Sequence, residues 1–207
     1  MLQSIQDHPI MYTVVLLLIV LCVFAWGKAA KASRTRREKR DAIIAELERE
    51  KALRREFRNP TPQQLEDAPP ARLIEGLCCH VQQRLEKHDD PEAAFADLPE
   101  AARLIYAFGY VLLDGRERLS EFFRKNGQPL TGAAMQAADK LGGGEYAEIF
   151  RAQYTAFDDE NEEASVIESE IDALDARFLK LTQECTEQLY AETRRYILSH
   201  SGIFTNL

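Results

Sequence analysis

The chain opens on an unbroken apolar run and then changes period. Seventeen uncharged, mostly aliphatic residues run from Ile10 to Trp26. From residue 71 onward apolar positions recur instead at the three- and four-residue spacing of amphipathic helices. Leu73, Ile74, Leu77, Cys78, Val81 and Leu85 form one such stripe. Asp90-Pro91 and Leu98-Pro99-Glu100 read as helix starts, since proline fits the first helical turn. The second opens an apolar helix through Leu104, Ile105, Phe108 and Val111, ended by Asp114-Gly115. Arg118–Lys125, Thr131–Leu141 and Glu145–Phe157 follow as shorter helices, the middle one closed by Gly142-Gly143-Gly144. The last helix is long, about Ser165 to Ser199. Its apolar residues Ile167, Ile171, Leu174, Phe178, Leu181 and Cys185 step by four and three. No alternating Val/Ile/Thr-rich segment occurs after residue 30, so the fold class is all-α.

Between these two patterns lies a different composition. Glu38 to Arg58 is a charged helix with sparse apolar positions, read as a solvated stalk. Two proline pairs, Asn59-Pro60-Thr61-Pro62 and Asp67-Ala68-Pro69-Pro70, set a linker at 59–70. The expected organisation is therefore a short N-terminus (1–9), a transmembrane helix (10–27), a basic helical stalk (28–58), the linker, and a compact multi-helix domain (71–204). That domain ends in the long C-terminal helix.

Charge orients the apolar run. Lys28, Lys31, Arg34, Arg36, Arg37, Lys39 and Arg40 follow it directly, against the single acid Glu38. Residues 1–9 carry no Lys or Arg, the reverse of a secretory signal, which places its cations first. An uncleaved single-pass anchor fits better, with Tyr12 and Trp26 near the headgroup levels. The cations favour the cytoplasmic side, which puts the N-terminus out and the domain inside. They also suit anionic lipid headgroups.

The rest of the chain has the opposite sign. Residues 28–58 carry a net charge of +6 and residues 59–207 a net of −13, within −8 for the whole chain of 207 residues. Such a domain is repelled by nucleic acid, so direct binding to it is not expected. Asp158, Asp159, Glu160, Glu162, Glu163, Glu168, Glu170, Asp172 and Asp175 form nine carboxylates with no cation before Arg177. This row is the candidate docking surface for a protein partner with a basic face. Its plainer reading is a solvated helix start, where acids complement the helix dipole. The heptad-like seam of the last helix is a second candidate, for pairing with itself or with another helix of an envelope assembly.

Candidate chemistry is thin. Cys78-Cys79-His80 lacks the spacing and the second ligand pair of a zinc site, and Cys78 falls on the apolar stripe. The glycine triplet has no P-loop Lys-Ser/Thr after it and reads as a helix stop. His88, Asp89 and Asp90 lie at a helix boundary, where capping is the ordinary role. No catalytic constellation is legible, and neither enzymatic activity nor a cofactor or metal is expected.

Read in order, the helices from Leu98 to Gly127 (LPEAARLIYAFGYVLLDGRERLSEFFRKNG) and from Leu130 to Tyr154 have a familiar pattern. With LDARFLKLTQE and RRYILSHSGIF near the C-terminus, they resemble a bacterial helical domain family first known through a DNA-mimic protein. Ser120-Glu121-Phe122-Phe123-Arg124-Lys125-Asn126-Gly127 is similar to that family's aromatic "QFF-x-N-x-x-G" segment, and Ala137–Gly142 to its "AL-x-x-IG" helix end. The resemblance covers about residues 71–204. It implies an all-helical domain acting by protein contact, with a DNA-binding regulator among the partners. In a bacterium the anchor would lie in the inner membrane. The chain departs from the family in its 114–119 turn and in carrying an anchor.

Overall fold

A computed structural model describes residue 37, residues 39–157 and residues 166–207. Every regular element among them is helical. None of these helices is long and apolar enough to cross a membrane; the 10–27 run lies outside the described residues. The chain divides into two compact units, residues 1–51 and 52–207. In the first, the described part is helical and exposes Ile43, Ile44 and Leu47.

The second unit begins inside helix α1 (39–56), earlier than the proline pairs suggest. Leu53 and Phe57, one helical turn apart, are buried, Phe57 with 0% exposure. The Phe57 ring lies on Gly76, where a β-carbon would sit 2.3 Å from the ring. Arg54 pairs with Glu86, and Arg72 with Glu56, on either side of this contact. The end of the charged helix is thus part of the core.

The expected linker is folded as well. Thr61 accepts a hydrogen bond from the Gln64 amide at 3.2 Å and caps α2 (Pro62–Asp67), whose Leu65 is fully buried. Arg194 then donates to the carbonyls of Ala68 (3.1 Å) and Glu66, tying this stretch to the far end of the chain. Proline at the first helical turn starts a helix as readily as it stops one, which is why 59–70 reads as a break in sequence.

Helix α3 (Pro70–Leu85) buries the stripe its periodicity predicts. Asp90 caps α4 (Pro91–Ala96) through the amides of Glu92 and Ala93. The central element is α5 (Glu100–Asp114), whose Ala101, Ala102, Leu104, Ile105, Ala107, Phe108 and Val111 are buried around most of its circumference. It packs on α3, where Gly109 admits the Cys78 sulfur: a β-carbon there would meet it at 2.9 Å. Two further helices follow, α6 (Leu119–Lys125) and α7 (Leu130–Ala137), and α7 also packs on α5. Helix α7 widens into a π turn (Ala138–Gly142) instead of running on to Leu141 as an α-helix. Gly143, at φ +80°, makes the corner into α8 (Gly144–Ala156).

Helix α9 (Glu168–Ser199) starts three residues later than expected and lies across the unit, followed by α10 (Ser201–Asn206). The middle of its seam faces inward, while Ile167 at its start is exposed. Ile171 and Phe178 are buried, and Leu174 and Leu181 pack against the core. Phe178 meets the rings of Tyr146 and Phe150 edge-on. From Ile171 to Leu181 the heptad spacing therefore serves this chain's own core.

Candidate functional site

The carboxylate row of the sequence divides in three. Asp158, Asp159, Glu160, Glu162 and Glu163 lie outside the described residues. Glu168 and Asp172 are exposed but paired within the unit. Glu168 accepts from Arg124 at 2.8 and 2.9 Å, and Asp172 accepts from Arg118. Glu170 is exposed on the first turn of α9.

Asp175 is different in kind. It is 5% exposed and accepts four hydrogen bonds: from the Ser120 amide (2.8 Å), Ser120 Oγ (2.6 Å), Gln153 Nε2 (2.8 Å) and Arg118 Nε (3.0 Å). The Ser120 amide is one of the first amides of α6, which has no capping side chain of its own. Asp175 therefore caps α6 from another helix, placing a negative charge at the positive end of its dipole. Burial pushes its pKa up. The hydrogen bonds from Ser120, Gln153 and Arg118 outweigh that, and the carboxyl is held below its ordinary value. Asp175 consequently drops out of the set available to a partner.

Sequence reasoning grouped Asp175 with its charged neighbours and so missed its position. It stands four residues after Ile171 and three before Phe178, on the inner face of α9. A carboxylate at a core register is itself the signal of a buried, satisfied acid.

Of the membrane-surface set, Lys28, Lys31, Arg34 and Arg36 lie outside the described residues. Arg37, Lys39 and Arg40 are exposed in helical segments, and Arg40 lies 3.7 Å from Asp41. Cys78 is buried, its sulfur 3.8 Å from the Tyr106 carbonyl oxygen. Among the described residues no three His, Cys, Asp or Glu side chains converge as metal ligands.

A feature absent from the sequence reading is a basic groove of about 700 Å³ on the second unit. Arg54, Arg55 and Arg58, at the end of α1 and just beyond it, face His80, Arg84 and Lys87 from α3 and the turn that follows it. Its one acidic side chain, Glu86, is held by Arg54 through two bonds of 2.8 and 2.9 Å and by Gln82 at 3.0 Å. Gln83 braces the wall by donating to the Arg54 carbonyl at 3.1 Å. His80 is 8% exposed, and its Nε2 has no hydrogen-bond partner among the described residues. Burial lowers the pKa of His80, and the nearby charges of Arg84 and Lys87 add to that. Main-chain groups of Phe57 and Arg58 oppose the shift only in part. A second groove, walled by Phe123, Asn126 and Tyr154, carries the Arg124 guanidinium 5.1 Å above the Phe157 ring.

Comparison of the chain with protein families, with curated proteins and with solved structures returned no match.

Proposed function

We propose that this protein is a membrane-anchored interaction module whose acidic helical domain docks on a basic protein partner. The anchor is the 10–27 run, oriented by the cations that follow it. The domain then faces the cytoplasm of a bacterial inner membrane. The observation that carries the reading is the segregation of charge: +6 over residues 28–58 against −13 over residues 59–207. A surface of that sign draws a basic protein by long-range attraction and repels nucleic acid. The resemblance to the DNA-mimic family supports a DNA-binding regulator as the class of partner.

The proposed contact set leaves out the acids already engaged within the unit. Asp175 holds α6, and Glu168 and Asp172 are matched by Arg124 and Arg118. Docking therefore falls to Asp158, Asp159, Glu160, Glu162, Glu163 and Glu170. The alternative, assembly through the last helix, would rest on the part of its seam left exposed, Ile167, since Leu174, Phe178 and Leu181 pack into this chain's own core.

The test is affinity capture with the full chain in a non-ionic detergent, beside a variant with those six carboxylates changed to Asn or Gln. A basic protein held by the wild type, released by moderate salt and by added duplex DNA, and lost by the variant is the expected result. Equal capture by both chains would remove the acidic surface from the mechanism.

A further inference from the structure

The basic groove has no part in acidic docking, and its chemistry is independent of that reading. Cations near the C-terminus of a helix are ordinary, since they complement its dipole. Here the ends of two helices bring theirs into one groove, where like charges repel. Glu86 does not relieve this, because Arg54 and Gln82 already occupy its oxygens. Arg58, Arg84 and Lys87 are all exposed, and none forms an ion pair among the described residues. Behind them stands the buried His80, with an Nε2 that no described protein group satisfies. Nearly all buried polar atoms have a partner, so an orphan beside three uncompensated cations marks a place for an acceptor of negative charge.

We infer that this groove binds a phosphate group, held by Arg58, Arg84 and Lys87, with His80 donating from Nε2. Guanidinium forks match phosphate oxygens in pairs, and lysine adds a point charge. Main-chain groups of Phe57 and Arg58 already engage one ring N–H of His80, and an anion in the groove favours the imidazolium, whose second N–H donates from Nε2. The ligand is compact. A long polyanion would run past the groove over the net-negative surface of residues 59–207 and be repelled there, whereas one phosphate group lies within a screening length of the groove's own cations. Two sources offer that group: the headgroup of an anionic lipid, and a soluble phosphorylated compound.

Isothermal titration of the full chain in non-ionic detergent, at low ionic strength, tests this with inorganic pyrophosphate and with short-chain phosphatidic acid as probes. Arg84→Glu with Lys87→Glu should weaken binding roughly tenfold or more, as loss of two close charges does. Lys180→Glu with Arg195→Glu makes the same change in net charge on exposed positions of α9 and should leave binding intact. The His80 ring proton resonance should move on saturation in the wild type. Tight pyrophosphate binding with weak lipid binding identifies a soluble ligand, and the reverse order a headgroup. Binding of neither probe, or equal losses in the two double variants, overturns the inference.

Discussion

Asp175 shows how far one residue can depart from the charge class it shares with its neighbours. Its carboxylate satisfies a helix-end amide, a serine hydroxyl, a buried glutamine and an arginine. Asp175→Ala strands at least the amide and the glutamine, and should cost on the order of 3 kcal/mol, read as a drop in the urea midpoint. Asp172→Asn, on an exposed pair with the same arginine, should cost less than about 1 kcal/mol. The pH dependence follows from a depressed carboxyl. The stabilisation from Asp175 is complete above the unfolded-state value of about 3.9 and is lost as pH falls through the lower folded-state value. The stability gap between wild type and Asp175→Asn should therefore be constant above that range and close below it, in urea titrations at stepped pH. A gap unchanged down to the lowest pH would show that the charge of Asp175 is not what stabilises α6.

At the scale of elements, the join between α1 and α3 is where local rules and packing disagree. Glycine inside a helix is normally a weakness, and replacing it with alanine gains about 0.5–1 kcal/mol. Gly76→Ala should do the opposite, because the new methyl meets the buried Phe57 ring at 2.3 Å. A loss of about 1–3 kcal/mol is expected from such overpacking, measured by thermal or urea unfolding. In a Phe57→Ala background the same change should become neutral or favourable, and a double-mutant cycle isolates that coupling. Additive effects would mean that the ring does not rest on this glycine. The same join explains what the sequence made legible. Periodicity marked α3 and the inner seam of α9, and the Asp90-Pro91 pair marked α4, because in each the signal is local. Leu53 and Phe57 are two apolar residues at the end of a helix whose charges dominate any window, and Leu65 lies between proline pairs. Only their distant partners reveal them as core. The basic groove was equally hidden, since it joins positions 54–58 to 80–87.

For the whole molecule, the place where the compact unit begins decides what holds the acidic domain together. A fragment of residues 71–207 corresponds to the break at the proline pairs; one of residues 52–207 corresponds to the observed unit. The shorter piece lacks Leu53, Phe57 and Leu65, three buried side chains worth about 1.5–3 kcal/mol each by their transfer from water. It also exposes the face of α3 around Gly76 and leaves Arg194 without the carbonyls of Glu66 and Ala68. Domains of this size are stable by only about 5–15 kcal/mol in total, so a loss of that order removes most of the margin. The 52–207 fragment should unfold in one cooperative step, with near-ultraviolet dichroism retained up to the transition. The 71–207 fragment should keep helical signal while losing fixed aromatic packing, and should bind a hydrophobic dye. It would also lose the Arg54–Arg58 side of the basic groove, so phosphate binding should disappear with it. Equal unfolding midpoints for the two fragments would mean that the end of α1 rests on a domain already complete, and that the stalk runs to residue 58 after all. A large difference places the end of the stalk inside the fold. Any displacement of the end of α1 would then act directly on the core and on the groove beside it.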